Sequence, residues 1–428
     1  MSESEFWKEK KLDELIQEKA IGLVKGSSLQ SDCFEFDYVK MHNISSDNSW
    51  NPKGMVRVNA TDEEVEKFSL QNNDFLFNTR NSYELVGKSC LYHSTSKIPV
   101  LFNNNIMRIK FSTELNPKFA AYAFCSKDAS DQLTSMKQGT TGVSGIYYKT
   151  LKNLRVKYPP IPEQKRIVAI LDQAFADIEQ ARAKTEQNLK NARELFESYL
   201  QQVFSQRGDG WEEHLLGDVC TFKHGFAFKS EFFTQDKGYV LLTPGNFFEE
   251  GGYRDRGEKQ KYYDGTFPSD FLLSKGDLLV AMTEQAVGLL GSPALVPKGN
   301  TFLHNQRLGL VELTNEFRDN LSMEFLFHLF NTKYFRSKVQ KTATGLKVRH
   351  TSPKKMQVIP IWLPGDLNEQ KEIALKLFNL KEESLKLEEI YKAKALQLDE
   401  LKKSILQKAF SGELTKTLEV DENKGAVA

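Results

Sequence analysis

Residues 158–171 read YPPIPEQKRIVAIL, three prolines and a Glu-Gln-Lys triplet feeding directly into a run with helical spacing. Proline is tolerated at a helix start because its missing N–H would be unpaired there anyway, so Pro162 marks an entry rather than a break. From Ile167 the apolar or small residues continue at Leu171, Ala174, Ile178 and Ala181, then Thr185 and Asn188, then Ala192, Leu195 and Tyr199. This 4-3-4-3 spacing holds for nearly five heptads. A period of 3.5 residues specifies a seam between paired helices, not a helix resting on a globular core. A helix of about forty residues is predicted, roughly 60 Å at 1.5 Å per residue, with the glycines of RGDG after Phe204 as its stop.

Such a seam needs a partner, and the chain contains one. A shift of 206 residues lays Glu163-Gln164-Lys165 on Glu369-Gln370-Lys371 and, without a gap, YLQQVFSQ (199–206) on ILQKAFSG (405–412). It also lays LNPKFAAYAF (115–124) on LSMEFLFHLF (321–330) and Gly139 on Gly345. Further upstream the shift drifts by a few residues, as loop insertions produce, with NDFLF near Asp74 answering GDLLV near Asp277 and Trp7 answering Trp211. The chain is a two-fold duplication. The second helix repeats the frame at Ile373, Leu377, Leu380, Ser384, Leu387, Tyr391, Lys394, Leu398, Leu401 and Ile405, with Asn368 as its expected N-cap. Pairing of the two helices with each other is expected, since each is already tethered to the other at high effective concentration, and an antiparallel pairing would project the two globular halves from opposite ends of a rod. The polar seam positions Thr185, Asn188, Tyr391 and Lys394 are placed to fix register.

Upstream of each helix the texture is different. Residues 30–157 alternate short apolar runs with turn-rich stretches such as SSDNSWNPKG and FNNN, interrupted by one helical patch near Leu115 to Phe124, the pattern of a mixed α/β domain. At 428 residues, 40% hydrophobic and 27% charged, the chain is long enough for two or three domains with real cores. No stretch reaches the length and apolarity of a membrane helix, and MSESEFWKEKK lacks the apolar core of a signal peptide, so a soluble, cytoplasmic protein without membrane contact is expected. Cys33, Cys90, Cys125 and Cys220 have no CxxC spacing, which argues against a zinc site or a disulfide framework.

Two related but diverged globular halves on a paired-helix rod suit a ligand with approximate two-fold symmetry and a fixed pitch. Duplex DNA is such a ligand, read by paired modules about one helical turn, 34–36 Å, apart. A net charge of +1 requires any DNA surface to be local. Basic residues do cluster before each helix, at Lys149, Lys152, Arg155 and Lys157, and at Lys338, Lys341, Lys347, Arg349, Lys354 and Lys355.

The glycine-bearing loops QGTTGVSGIYYKTLKNLRV and TATGLKVRHTSPKKMQVI, each followed by an E-Q helix start and a long helix, resemble the specificity subunit of type I restriction-modification systems. The second copy departs from the pattern, LPGDLNEQ standing where the first has prolines. The resemblance implies two target recognition domains of mixed α/β fold joined by two long helices in an antiparallel coiled coil. The expected boundaries are 1–157 and 208–363 for the recognition domains, 158–207 and 364–413 for the spacer helices, and 414–428 for a tail. It implies a non-enzymatic reader of a bipartite, asymmetric double-stranded DNA site, whose helices dock two DNA adenine methyltransferase subunits and, through them, restriction subunits.

No catalytic or cofactor motif competes with this. There is no Walker A loop, NPPF or NPPY, methyl-donor glycine fingerprint or HExxH, and no cofactor is expected. Asp74 and Asp277 read as turns entering buried strands. Direct readout uses Arg on guanine, Asn or Gln on adenine and carboxylates on cytosine, carried on loops. The candidates are Asn78, Arg80 and Asn81, the Asn103 to Asn105 loop, then Lys137, Thr140, Thr141 and Tyr147 in the first copy. In the second they are Glu284 and Gln285, then Asn305 and Arg307 within HNQR, then Lys347, Arg349 and His350. The other readings are a tandem coiled-coil protein–protein adaptor without DNA specificity, and a fused enzyme that modifies DNA alone. Deleting one heptad from both helices is expected to change the permitted gap between half-sites in the methylation pattern of the assembled complex; an unchanged gap refutes the ruler.

Overall fold

The computed structural model describes residues 6–94, 96–140, 142–285 and 287–414. The chain divides into two compact units, residues 1–185 with 394–428, and residues 186–393. The expected tail, 414–428, lies outside the described residues apart from Leu414.

The first unit holds a four-stranded antiparallel sheet in the order 16–21, 106–111, 75–78, 89–91, and a three-stranded sheet in the order 56–58, 36–39, 100–102, whose last pair is parallel. Phe75–Asn78 is buried at every position, because core lies against both faces of that sheet and alternation is lost. The second unit repeats this, with Cys220–His224, Leu308–Leu313, Leu278–Ala281 and Pro293–Leu295 in one sheet, and Tyr239–Leu242 beside Phe302–His304, again parallel, in another. The expected helical patch is Pro117–Cys125, capped by the Asn116 side chain, and its repeat is Met323–Phe330, capped by Ser322.

Asp74 and Asp277 close turns by accepting from the backbone N–H of Gln71 and Ser274, both at 2.8 Å, and enter fully buried strands. Burial pushes both carboxyls above the usual aspartate range.

The long helices are Ile161–Gln206, 46 residues, and Leu367–Phe410, 44 residues. Their entries share one device. Gln164 is wholly buried; its amide nitrogen donates to the carbonyls of Glu114 and Pro159 while its oxygen accepts from Asn116 N–H, all at 2.8 Å. Gln370 does the same with the carbonyls of Asn320 (3.1 Å) and Pro364 (2.9 Å) and Ser322 N–H (2.9 Å). The glutamine of the repeated triplet therefore pins each helix start to the last strand and to the short helix before it. Asn368 is not the N-cap as expected; the helix begins at Leu367, two residues earlier than that cap implies, and the Asp366 carboxylate accepts from Asn368 N–H at 3.0 Å. At the far end of the first helix the left-handed residue is Arg207 (φ 51°) rather than a glycine, its guanidinium 3.5 Å above the Trp362 ring.

Within the first unit Glu179 pairs with Lys402 and Arg182 with Asp399; within the second Ala192 meets Ser384 and Tyr199 lies under Lys376. Rising numbers on one helix meet falling numbers on the other, so the pairing is antiparallel, as expected. The strict heptad does not persist. Leu195 is 48% exposed while Phe196 is buried, and Lys394 and Leu401 are exposed while Ala395 and Lys402 are sheltered. A helix of 3.6 residues per turn drifts about 20° per heptad, so after four or five heptads the inward residue is the next one along. Of the four expected register residues, Lys394 is outside the seam, and the buried Thr185 hydroxyl donates to Ala181 O of its own helix. Ser384 makes the crossing contact instead, donating to Ala192 O on the other helix.

Gln370→Ala would leave one buried N–H and two carbonyls without partners, which costs on the order of 2–4 kcal/mol. Urea unfolding followed by circular dichroism should show the loss, and a loss below about 0.5 kcal/mol would contradict the clamp.

Candidate nucleic-acid interface

The three loops singled out in each copy are joined by main-chain hydrogen bonds. In the first unit Arg80–Asn81 pairs with Ser144–Gly145, which pairs with Gln138–Gly139. Thr79 donates to Asn105 O at 2.8 Å through both its N–H and its hydroxyl, and its own carbonyl accepts from Ile146 N–H. In the second unit Thr283–Glu284 pairs with Arg349–His350, and Met282 bridges Arg307 and Thr351 by the same two main-chain bonds. Gly139 (φ 118°) and Gly345 (φ 106°) open the two tip hairpins. A Cβ there would lie 2.4 Å from Val143 O and 2.1 Å from Val348 O, so glycine is required for the hairpin to close.

The loops sort their residues into supporting and outward-facing groups. Asn78 is buried, its amide nitrogen donating to Leu85 O at 3.4 Å. Asn305 is buried too, its oxygen accepting from Arg307 N–H at 3.1 Å. The Asn103 to Asn105 loop is likewise a turn, Asn103 accepting from Asn105 N–H at 2.7 Å. Glu284 is 2% exposed; its carboxylate accepts from Gly288 N–H, Leu290 N–H, the Gln340 amide and Arg349. Arg349 donates to Glu284 at 2.9 Å and to Gln340 O at 2.9 Å. Four of the candidates, Asn78, Asn305, Glu284 and Arg349, are thus bonded to the fold itself, three of them buried and Arg349 partly so. His304 is also internal: its ring bonds Leu308 O, and burial holds its pKa down to about 4.

Outward-facing in the first unit are Arg80, Thr140 and Tyr147, with Asn81 and Lys137 partly so; Thr141 lies outside the described residues. Lys137 donates to Tyr83 O at 2.7 Å and sits 4.5 Å from that ring's centre, and burial beside Lys88 lowers its pKa. Asn81 accepts from Ser82 N–H at 2.8 Å. In the second unit Gln285, Arg307, Lys347 and His350 are exposed, and Leu346 at the hairpin tip is exposed completely.

Gln285 and Arg307 line one cleft of about 590 Å³ together with Arg254, Arg256, Lys261, Glu249 and Glu250. The sequence reading passed over Arg254 and Arg256. The available signal was GGYRDRG, an Arg-x-Arg turn bracketed by Gly251, Gly252 and Gly257, all at positive φ. Arginine and glutamate at the mouth of a cleft supply hydrogen-bond donors and acceptors of the kind base edges require.

The type I restriction modification DNA specificity domain model matches residues 4–188 and again 208–397. The chain is 23% identical over 312 residues to the MjaVIII specificity subunit of Methanocaldococcus jannaschii, covering 68% of this chain and 70% of that one. It is 26% identical over 148 residues to the EcoKI specificity subunit of Escherichia coli K12, covering 34% of this chain and only 32% of that relative's length. A chain solved in work on complex assembly and conformational transition of the type I R-M system shares its fold, with a TM-score of 0.69, 19% identity, and coverage of 95% of this chain and 98% of that one.

Two variants separate scaffold from reader. Arg349→Ala removes the cationic partner of the buried Glu284 carboxylate, which keeps its N–H and amide donors, and should cost about 2 kcal/mol in unfolding free energy. Lys347→Ala should leave stability within about 0.5 kcal/mol and weaken DNA binding by the assembled complex, with a shallower salt dependence. Equal stability of the two proteins would contradict this division.

The duplicated match, covering most of the chain with both loop clusters and the first part of each long helix, establishes membership in the type I restriction-modification DNA specificity domain family.

Proposed function

We propose that the chain is the DNA sequence-reading subunit of a type I restriction-modification complex and performs no chemistry itself. Each unit offers its loop face to one half of a bipartite site in duplex DNA. The observation that carries this reading is the pair of loop triads held by identical main-chain bonds yet presenting unlike side chains, Arg80, Thr140 and Tyr147 in one and Gln285, Arg307 and Lys347 in the other. A shared scaffold with diverged outward residues suits a site whose halves differ in sequence. Phosphate contacts fix position, whereas contacts to base edges specify.

Methyl transfer and cleavage then belong to partner subunits, two adenine methyltransferases docked on the long helices and restriction subunits held through them, in the cytoplasm where DNA is accessible. Support comes from apolar side chains on the outer side of the second helix. Leu375, Leu385 and Ile390 in the second unit and Leu396 and Leu401 in the first are each 46–67% exposed, on the side away from the seam formed by Leu377, Ser384 and Leu398. Apolar groups repeated along one exposed helix face mark a protein-binding surface.

Expression with a type I methyltransferase from the same host, followed by genome-wide mapping of N6-methyladenine, is the test. A single motif of two unlike half-sites around an unread spacer is expected, with no methyl transfer by the purified chain alone. Stable complex formation without any motif would leave the adaptor reading in its place.

A further inference from the structure

The cleft in the second unit contains three arginines that the fold itself does not use. Arg254, Arg256 and Arg307 all line it, and among the described residues none of the three guanidinium groups has a hydrogen-bond acceptor or a carboxylate partner. Arg254 touches only the face of Phe248, 5.9 Å from the ring centre. Of the unit's other arginines, Arg336 binds the carbonyls of Glu249 and Gly288, Arg349 binds Glu284 and Gln340, Arg207 lies over the Trp362 ring and Arg193 pairs with Glu388, while Arg318, exposed and outside the cleft, has no such partner among the described residues. Arg256 is also positioned. Its guanidinium lies over Gly245, where an added Cβ would come within 3.2 Å of it, so the glycine provides the floor on which the planar group rests.

Charge decides what these donors are for. The same cleft is lined by Glu249 and Glu250, and carboxylates repel phosphate. The major-groove edge of a guanine–cytosine pair presents two acceptors, guanine N7 and O6, and one donor, the cytosine N4 amino group. Arginine forks satisfy the first two in bidentate fashion and a carboxylate accepts from the third. Adenine is read by an amide, and the cleft offers Gln285 for that against three free arginines.

We propose that Arg256 and Arg307 are specificity-determining residues that read guanine in the half-site taken by the second unit, with a carboxylate of the opposite charge beside them accepting from the paired cytosine. The inference rests on the reading of the chain as a DNA-sequence reader. It adds the base class and names residues for it.

Methylation motifs are compared for complexes assembled with the wild-type chain, Arg256→Ala, Arg307→Ala and Arg256→Lys, the last keeping charge and reach but losing the fork. Each alanine variant should relax one guanine position in one half-site, with about a tenfold or greater loss of discrimination there, and leave the other half-site unchanged. Arg256→Lys should relax the same position while assembling and melting like wild type, which covers the case in which an alanine variant fails to fold. An unchanged motif in all three variants overturns the inference, as does a uniform loss of methylation across sequences with a reduced salt dependence, the signature of a phosphate contact. A wild-type motif with no guanine–cytosine pair in either half-site overturns it while leaving the reader assignment intact. A wild-type complex that produces no motif removes that assignment and this inference with it.

Discussion

A buried amide sets the geometry at both helix entries. Gln164 and Gln370 each satisfy two carbonyls and one N–H from two separate stretches of chain. Only asparagine and glutamine carry two donors beside an acceptor on one group. A glutamate would turn an oxygen toward two carbonyls, and a leucine would orphan all three main-chain groups, at the cost that unsatisfied buried polar groups carry. The angular phase of each helix follows from this clamp. A helix free to rotate by one residue at its start would present a different face along its whole length, and the seam below would lose its partner positions. The neighbouring glutamate adds a second hold in the second unit, Glu369 accepting from the Trp211 indole at 3.0 Å.

The seam is then finished by sequence-distant cores. In the first unit Phe119 packs between Trp7, at 6.3 Å, and Phe410 from the end of the second helix, at 5.2 Å. In the second unit Phe325 packs between Trp211, at 5.7 Å, and Phe204 from the end of the first helix, at 5.2 Å. The trio is the same, but the first one requires residues near both ends of the chain. Its core cannot close until residue 410 has been made, so the first unit completes by a contact of very high sequence separation, the kind that is slow to form. The duplication explains why: the end of each helix completes the core of the unit that the helix did not start from.

Much of this was legible because it obeys a period or repeats. The duplicated triplet, the 3.5-residue stripe and the α/β texture follow from spacing, and three loops per copy stand out by their side-chain types, though not their convergence. What spacing could not convey was the slow rotation of a real helix against a heptad template, which exchanged Leu195 for Phe196 and Leu401 for Lys402. Nor could it tell a polar residue facing water from one facing the fold. Asn78, Asn305 and Glu284 have the side chains of base readers, yet each sits where a strand or turn closes and bonds its own main chain. Arg254 and Arg256 were missed for the opposite reason. They lie in a loop some distance in sequence from the three considered, and only the folded sheet brings that turn to the same cleft.

A net charge of +1 is compatible with a DNA function once local commitment is separated from global count. Many basic side chains among the described residues have acidic or carbonyl neighbours, as Arg57 with Asp37, Lys25 with Glu64 and Lys355 with Thr342 O. Those charges cancel at short range and contribute little to the potential a Debye length away. The second unit's cleft differs because its guanidinium groups lack such partners and are held apart from its carboxylates. A surface of this kind attracts phosphate weakly and discriminates strongly among base edges, since an unpaired donor or acceptor buried on binding costs more than a matched one gains. Affinity for the backbone would have to come from elsewhere in an assembly, and the reader can remain nearly neutral without losing the ability to choose a sequence.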